Sequence, residues 1–204
     1  MKIIAPTDRT MSIPFRIGDG PSEDGARLGG TAPEGISSPL LRPNARYFMT
    51  FPLATEPPLF ASLFVNCSFT ELIKAMNNGV QNDDRIILIV HSPCPRGTGS
   101  AYASAISSHP LLVGSPQSDT FIEDGEWMLE PHHKFGGNPF CIQEPELPGM
   151  AELFEQDYIQ VVQIDFPNRN DGDVDGDWPF MDGVFNVFWK PPFTGVPYYW
   201  YLQK

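Results

Sequence analysis

Carboxylates occupy alternating positions in one short stretch of the chain, residues 171 to 182, which reads DGDVDGDWPFMD. Oxygen ligands at every second residue, with a glycine where the chain turns sharply, form the pattern of a calcium-binding loop. The five candidate ligands are Asp171, Asp173, Asp175, Asp177 and Asp182. The flanking residues favour strands, which excludes an EF-hand. The stretch therefore predicts either a loop-type Ca²⁺ site or a solvated acidic hairpin loop, and no other cofactor is expected.

Histidine and cysteine, the other common metal ligands and nucleophiles, are not spaced for either task. His91 and His109 each stand alone near a proline, and His132 and His133 are adjacent. On a strand, adjacent side chains point to opposite faces, so this pair cannot chelate one ion. Cys141 has no helix N-terminus or basic cluster nearby to lower its thiol pKa. Because phosphate-binding and nucleophile-elbow motifs are also missing from the sequence, we expect no enzyme.

The acidic residues are concentrated in one block. Residues 121–182 carry fifteen Asp and Glu against two basic residues, a net charge of −13, and the whole chain has −12. Such a block repels nucleic acid and anionic membranes and attracts a basic partner, although acidic loops can also serve solubility alone. The candidate partner-binding residues are Glu144, Glu146, Asp171, Asp173, Asp175 and Asp177.

Short strands are the elements that must position these groups. The 22 prolines and 18 glycines lie between apolar runs rich in aromatic residues, which favours an antiparallel sheet with few helices. Strands are predicted within 45–53, 85–93, 157–167 and 183–195, and a last strand in the aromatic C-terminal segment. Helices are predicted at 68–79, where Ser68 and Glu71 form a capping box, and at 149–156.

The order of landmarks in the first half recurs in the second half. RLGGTAP at 27–33 matches KFGGNP at 134–139, and strands closed by Phe-Pro follow both. The run 85–93 then matches 183–195, each an apolar strand ending in prolines. Gly-Gly with a nearby proline predicts a rigid turn with positive φ that feeds a strand. We therefore expect an α+β, predominantly β fold, one domain over 1–204, built of pseudo-repeats 1–118 and 119–204.

Hydropathy and cysteine usage favour a cytoplasmic protein. No run of eighteen apolar residues is present, and the first fifteen residues carry polar residues and prolines where a signal peptide would be apolar. Three cysteines without a Cys-x-x-Cys pair support neither a disulfide framework nor a zinc ribbon.

Three groups of residues in the second half form an ordered set of motifs. They are Lys134, Gly136, Gly137, Pro139 and Gln143; Gln163, Ile164 and Asp165; and Trp178, Asp182, Gly183, Phe185 and Phe188. This set resembles the YwqG-like family of bacterial domains of unknown function. The resemblance implies a β-rich fold with duplicated halves, no established catalytic activity and, as for some members, a role in toxin–immunity systems. The acidic insertion between Asp165 and Trp178 departs from the family pattern.

These observations predict a non-enzymatic, acidic protein-binding protein. The resemblance makes an antidote that neutralises a basic toxin domain the favoured function. The alternative is a structural or interaction module that is stabilised by Ca²⁺.

Overall fold

The computed structural model describes residues 9–20, 25–76, 78–99, 101–119, 133–139, 149–167, 171–180 and 183–203 of the 204-residue chain. These residues form eleven strands and two short helices. The strands are β1 (Met11–Ile17), β2 (Arg27–Leu28), β3 (Arg46–Leu53), β4 (Leu59–Val65), β5 (Ile86–His91), β6 (His109–Val113), β7 (Gln117–Ser118), β8 (Lys134–Gly136), β9 (Ile159–Ile164), β10 (Val184–Trp189) and β11 (Tyr199–Gln203), and the helices are α1 (Phe69–Ile73) and α2 (Met150–Glu155). Neither of these described helices has the length and apolar character needed to cross a membrane.

All the described strands belong to one antiparallel sheet, which confirms the prediction of a predominantly β protein with few short helices. Ten strands follow one another in the order β11-β10-β9-β8-β1-β6-β2-β3-β4-β5, and β7 pairs with β1. Gln81, just before β5, exchanges two backbone hydrogen bonds of 2.8 and 2.9 Å with Trp200 of β11. The Tyr198 hydroxyl also donates to the carbonyl oxygen of Ile86 at 2.8 Å. The two edges of the sheet therefore meet at one end, and the sheet is nearly closed.

The first helix begins as its capping box predicts. The Ser68 side chain accepts a hydrogen bond from the N–H of Glu71, whose carboxylate accepts one from the N–H of Ser68 at 2.8 Å. The helix ends at Ile73, earlier than predicted, because the N–H groups of Ala75 and Met76 bond to carbonyl oxygens three residues back. The second helix, Met150–Glu155, lies within its predicted range.

One main core lies on one face of the sheet, and two smaller clusters lie elsewhere. Successive side chains of a strand point to opposite faces, so Leu63 of β4 enters the main core while Phe64 joins a small cluster with Tyr47 and Ile87. The other small cluster packs around Met150 of α2. The aromatic C-terminal segment forms β11, whose last four residues are buried, as predicted.

The strands are arranged in the same order on both sides of the centre of the sheet. Read outward, the neighbours are β6, β2, β3, β4 and β5 on one side and β1, β8, β9, β10 and β11 on the other. At the centre, β1 and β6 pair in a register that is symmetrical about Arg16 and Leu112. Each side of the sheet therefore contains five strands with matching antiparallel connections.

Corresponding strands also pair in matching registers. Each side carries a row of directly opposed residues across its second, third and fourth strands. The rows are Arg27–Thr50–Ser62 on one side and Lys134–Gln163–Asn186 on the other. The β3–β4 and β9–β10 pairs each contain one register shift. A residue in one half consequently has a definite positional counterpart in the other half.

Both Gly-Gly pairs adopt the positive φ that the sequence predicts. The φ values are 68° and 78° at Gly29 and Gly30, and 71° and 82° at Gly136 and Gly137. At Gly29 an added Cβ would lie 2.0 Å from the carbonyl oxygen of Ser107, so close backbone approach also requires glycine. Each pair closes a short strand. After Gly29-Gly30 the next strand begins only at Arg46, so the prediction that the turn feeds a strand is wrong there, and the residues after the second turn, 140–148, lie outside the described part of the chain.

Two pairs of sequence landmarks do not occupy corresponding positions. The sequence matched 183–195 with 85–93, but β10 pairs with β9 as β4 pairs with β3. Within 183–195, β10 therefore has β4 as its counterpart and not β5. By register, Phe51 corresponds to Ile164, two residues before the Phe-Pro landmark at Phe166. Apolar runs ending in proline look alike in a sequence, and only the pairing of the strands distinguishes them.

Candidate functional site

The acidic stretch at 171–180, which we call the acidic strap, is held against the body of the sheet at its start and at its middle. The N–H of Gly172 donates to the carbonyl oxygen of Ile17 in β1 at 2.6 Å. Gly176 forms a β-bridge with Ile106. Gly176 has a φ of 107°, and an added Cβ would lie 2.0 Å from the carbonyl oxygen of Ala105. Close backbone contacts therefore fix the course of the strap.

Asp171 anchors the start of the strap, and its side chain is buried. Its Oδ1 accepts a hydrogen bond from the N–H of Ile17 at 2.8 Å, and its Oδ2 lies 3.1 Å from Nε2 of His133. The other ring nitrogen of His133 accepts the N–H of Asp165 at 3.2 Å, so the ring proton is on Nε2 and is donated to Asp171. The side chains of Asp171 and His133 are 0% and 1% exposed. The Asp171 carboxylate therefore faces protein and not solvent.

Asp173, Asp175 and Asp177 are exposed on the strap. The N–H of Asp173 donates to the side chain of Asp19 at 3.1 Å. Asp175 accepts a hydrogen bond from the hydroxyl of Ser107, and this bond is the main cause of the lowered pKa of Asp175. These three carboxylates form the solvent-facing charge of the strap.

The calcium-binding pattern of the sequence is not assembled into a cluster within the described residues. No three His, Cys, Asp or Glu side chains in that part of the chain lie close enough to hold a metal ion. The oxygens of Asp171 already face protein donors. Asp182, the fifth predicted ligand, lies outside the described residues, as do the predicted partner-binding residues Glu144 and Glu146. The Ca²⁺ site therefore stays a prediction.

The acidic strap forms one wall of a groove of about 1190 Å³. The other walls are residues 43–48, which lead into β3, residues at the start of α1, and the segment 102–106. Asp177 of the strap and Arg46 both line the groove. The groove is large enough for several side chains of a partner.

Exposed aromatic rings line this groove. Phe69 of α1 is 51% exposed and Phe166 is 46% exposed. Trp178 of the strap packs edge-on against Phe48 at 5.3 Å and against Phe166 at 6.2 Å between ring centroids. Among the described residues the indole N–H of Trp178 has no hydrogen-bond partner. Large apolar side chains that stay in water beside a concave surface are typical of a binding site. No sequence pattern showed that Phe69 and Phe166 would line one groove.

A second polar cluster forms around His91, which stands alone in the sequence. Nε2 of His91 lies 2.8 Å from the hydroxyl oxygen of Ser62. Nδ1 lies 2.8 Å from the carbonyl oxygen of Ser92 and 3.3 Å from Sγ of Cys94. Burial lowers the pKa of His91 and raises that of Cys94. Because a raised thiol pKa disfavours the thiolate, the pair does not form an activated nucleophile.

Comparison of the chain with models of known protein families, with curated proteins and with solved structures found no match. The resemblance to the YwqG-like family, which rests on motif residues such as Lys134, Gly137 and Gln163, therefore stays a prediction.

Proposed function

We propose that the protein is a non-enzymatic binding protein that holds a basic polypeptide in the groove beside the acidic strap. The observation that carries this proposal is the juxtaposition of exposed acids with exposed rings. Asp173, Asp175 and Asp177 stand on the strap, and Phe69 and Phe166 line the adjoining groove. Aromatic anchors beside a charged rim suit a partner that presents both basic and apolar side chains.

The negative charge of the protein should raise both the association rate and the selectivity of this binding. Residues 121–182 have a net charge of −13 within a chain of −12. A field of that sign draws a basic partner toward the strap and accelerates encounter, whereas contacts in the groove determine how long the complex lasts. Because Asp171 is buried, the exposed partner-binding set on the strap narrows to Asp173, Asp175 and Asp177.

An antidote role is the form of this function that the sequence resemblance supports. In that role the partner is a basic toxin domain, and the protein neutralises it by covering part of its surface. The binding site rests on the geometry of the groove, and the toxin assignment rests on the YwqG-like resemblance. A cytoplasmic location stays a prediction with it.

We further infer that the chain is one domain that arose by internal duplication. The matching strand order and registers support this inference. A sequence match adds to it: Ser12-Ile-Pro14 lies near the start of β1, and Ser108-His-Pro110 spans the start of β6. Pro14 opposes Lys134 as Pro110 opposes Arg27. On this basis β6 belongs to the second copy, and the repeat boundary moves from residue 118 to before β6.

The duplication also explains why the strap is a candidate for function. The connection from β3 to β4 spans residues 54–58, whereas the corresponding connection from β9 to β10 spans 165–183 and contains the strap. The long connection has no counterpart in the first copy. An element added to one copy is free to serve binding because the shared scaffold does not need it.

Photocrosslinking in the native host tests the proposal. A photoreactive amino acid at position 69 or 166 should capture a basic polypeptide, and the variant Asp173→Asn/Asp175→Asn/Asp177→Asn should reduce that product. The same label at Leu112, which is 49% exposed but does not line the groove, serves as the control. Equal capture from position 112, or no capture from the groove positions, would contradict a binding function at this site.

A further inference from the structure

A second, smaller cavity of about 290 Å³ lies where β3, β4 and β5 meet the loop that follows β5. Phe60, His91, Pro93, Cys94 and Pro95 line it together with Thr50. None of these residues lines the groove beside the acidic strap. The cavity is therefore a separate site, and a ligand bound there is independent of the proposed function.

A chain of hydroxyl groups ends at this cavity. The Tyr47 hydroxyl lies 2.7 Å from the hydroxyl of Thr50, which lies 2.8 Å from that of Ser62. Ser62 in turn lies 2.8 Å from Nε2 of His91. Because Nδ1 of His91 faces the carbonyl oxygen of Ser92 at 2.8 Å, it carries the ring proton, and Nε2 accepts the proton of Ser62. Ser62 therefore accepts the proton of Thr50, and Thr50 accepts the proton of Tyr47, so the chain of hydrogen bonds holds the His91 ring in place.

A buried positive charge lies directly behind the cavity wall. Arg27 is fully buried, and its guanidinium donates to the carbonyl oxygens of Gly25 and Thr31 at long distances of 3.3 and 3.5 Å. Its Nε has no hydrogen-bond partner, and no carboxylate among the described residues forms an ion pair with it. Gly25 itself lines the cavity. An unpaired buried guanidinium is costly, so a charge of opposite sign nearby would be stabilising.

In the second half of the chain, the buried cation that corresponds to Arg27 is paired with a carboxylate. Lys134 occupies the position of Arg27, since it opposes Gln163 as Arg27 opposes Thr50. The Lys134 ammonium lies 2.9 and 3.1 Å from the two carboxylate oxygens of Asp119. In one half the chain itself supplies the carboxylate, whereas in the other half an open cavity lies beside the cation.

We propose that this cavity binds a small organic anion, a carboxylate on a compact apolar or aromatic body. The carboxylate compensates the charge of Arg27, while the body packs between Phe60, Pro93 and Pro95. The volume lies at the lower end of the range for small-molecule sites, about 300 Å³. A cationic ligand or a soft metal ion on His91 and Cys94 is disfavoured because Arg27 repels it.

Titration with benzoate tests the proposal, with benzamide as the uncharged control of the same shape. Benzoate should bind in the millimolar range or tighter, and benzamide at least about tenfold more weakly, because only the anion interacts with the charge of Arg27. Arg27→Met should remove this preference. Equal binding of both compounds, no saturable binding of benzoate, or an unchanged preference in Arg27→Met would overturn the proposal.

A measurement on the unmodified protein covers the case in which the variant does not fold. The charged and titratable groups around His91 are Arg27, Cys94 and Glu34, which acts on Cys94, with Tyr47 at the far end of the hydroxyl chain. Bound benzoate should raise the pKa of His91 in an NMR titration, and benzamide should not. His109, whose Nδ1 is bound to the carbonyl oxygen of Gly18 away from the cavity, should not respond. A His91 pKa that benzoate leaves unchanged would also overturn the proposal.

Discussion

Replacing the buried cation of each half by methionine should change stability in opposite directions. Arg27 carries a charge without a carboxylate among the described residues, and its Nε is unpaired. Lys134, its positional counterpart, forms an ion pair of 2.9 Å with Asp119. Arg27→Met therefore removes a poorly satisfied charge, whereas Lys134→Met leaves the Asp119 carboxylate without its cation.

The expected magnitudes follow from burial and hydrogen bonding. An unsatisfied buried polar group costs about 1–3 kcal/mol. The two long bonds of Arg27 and the Tyr47 ring, 5.7 Å from its guanidinium, together offset roughly 1 kcal/mol. Arg27→Met should therefore raise the free energy of unfolding by about 0–2 kcal/mol. Breaking a fully buried pair costs about 3–5 kcal/mol. The Lys134 and Asp119 side chains are 11% and 12% exposed. In the Lys134→Met variant, Asp119 would still accept the hydrogen bond of 2.5 Å from the N–H of Asn138. We therefore expect Lys134→Met to lower the free energy of unfolding by about 2–3 kcal/mol.

Urea unfolding followed by tryptophan fluorescence measures both changes, provided that the denaturant dependence is the same for all variants. The double variant Lys134→Met/Asp119→Asn is the matched control, because it removes both charges and should recover part of the loss. An Arg27→Met protein with a lower free energy of unfolding than the unmodified protein would show that Arg27 is well satisfied, and would refute the reasoning.

Three further predictions concern the strap, the hydroxyl chain and calcium. Asp171→Ala should lower the free energy of unfolding by about 2–4 kcal/mol, because the N–H of Ile17 and the buried His133 ring lose their acceptor. A loss below about 1 kcal/mol in urea unfolding would contradict the anchoring role. Burial raises the pKa of Tyr47 from 10.0 to about 12. The folded protein therefore holds this proton more tightly than the unfolded chain, and the contribution to stability is complete below pH 10 and is lost as the pH rises toward 12. The decline in stability over that interval should be smaller in Tyr47→Phe. An equal decline in the variant would show that other titrating groups cause it. Melting temperatures in excess Ca²⁺ and in chelator should agree, because the oxygens of Asp171 already have protein donors; a higher value with Ca²⁺ would support the loop-type site instead.

Local features of the fold could be predicted because short-range chemistry determines them. Ser68 and Glu71 lie three residues apart, and a capping box needs only that spacing. The glycines at 29 and 30 adopt positive φ because the turn requires it, whatever the rest of the fold. The order of the strands is not determined by short-range chemistry. It depends on pairing between distant segments, and the sequence therefore matched β10 with the wrong strand of the first half.

The same distinction separates what could and could not be predicted of the candidate site. The alternating aspartates look alike in the sequence, yet Asp171 is buried against Ile17, which is 154 residues away, while Asp175 is exposed. Arg27 beside a Gly-Gly pair looks like a surface residue, and only the sheet places it inside. The closeness of Ser62 and His91 follows from the β4–β5 register, which no local pattern encodes.

The association rate constant of the polypeptide captured from position 166 tests most directly whether the acidic strap guides a basic partner into the groove. The variant Asp173→Asn/Asp175→Asn/Asp177→Asn is compared with Glu34→Gln/Glu152→Gln/Glu155→Gln, which makes the same change in net charge at exposed positions outside the groove. At low ionic strength the strap variant should associate about tenfold more slowly and the control less than about twofold, and salt should remove the difference. Equal rates for the two variants, or a strap variant as fast as the unmodified protein, would contradict binding at the strap.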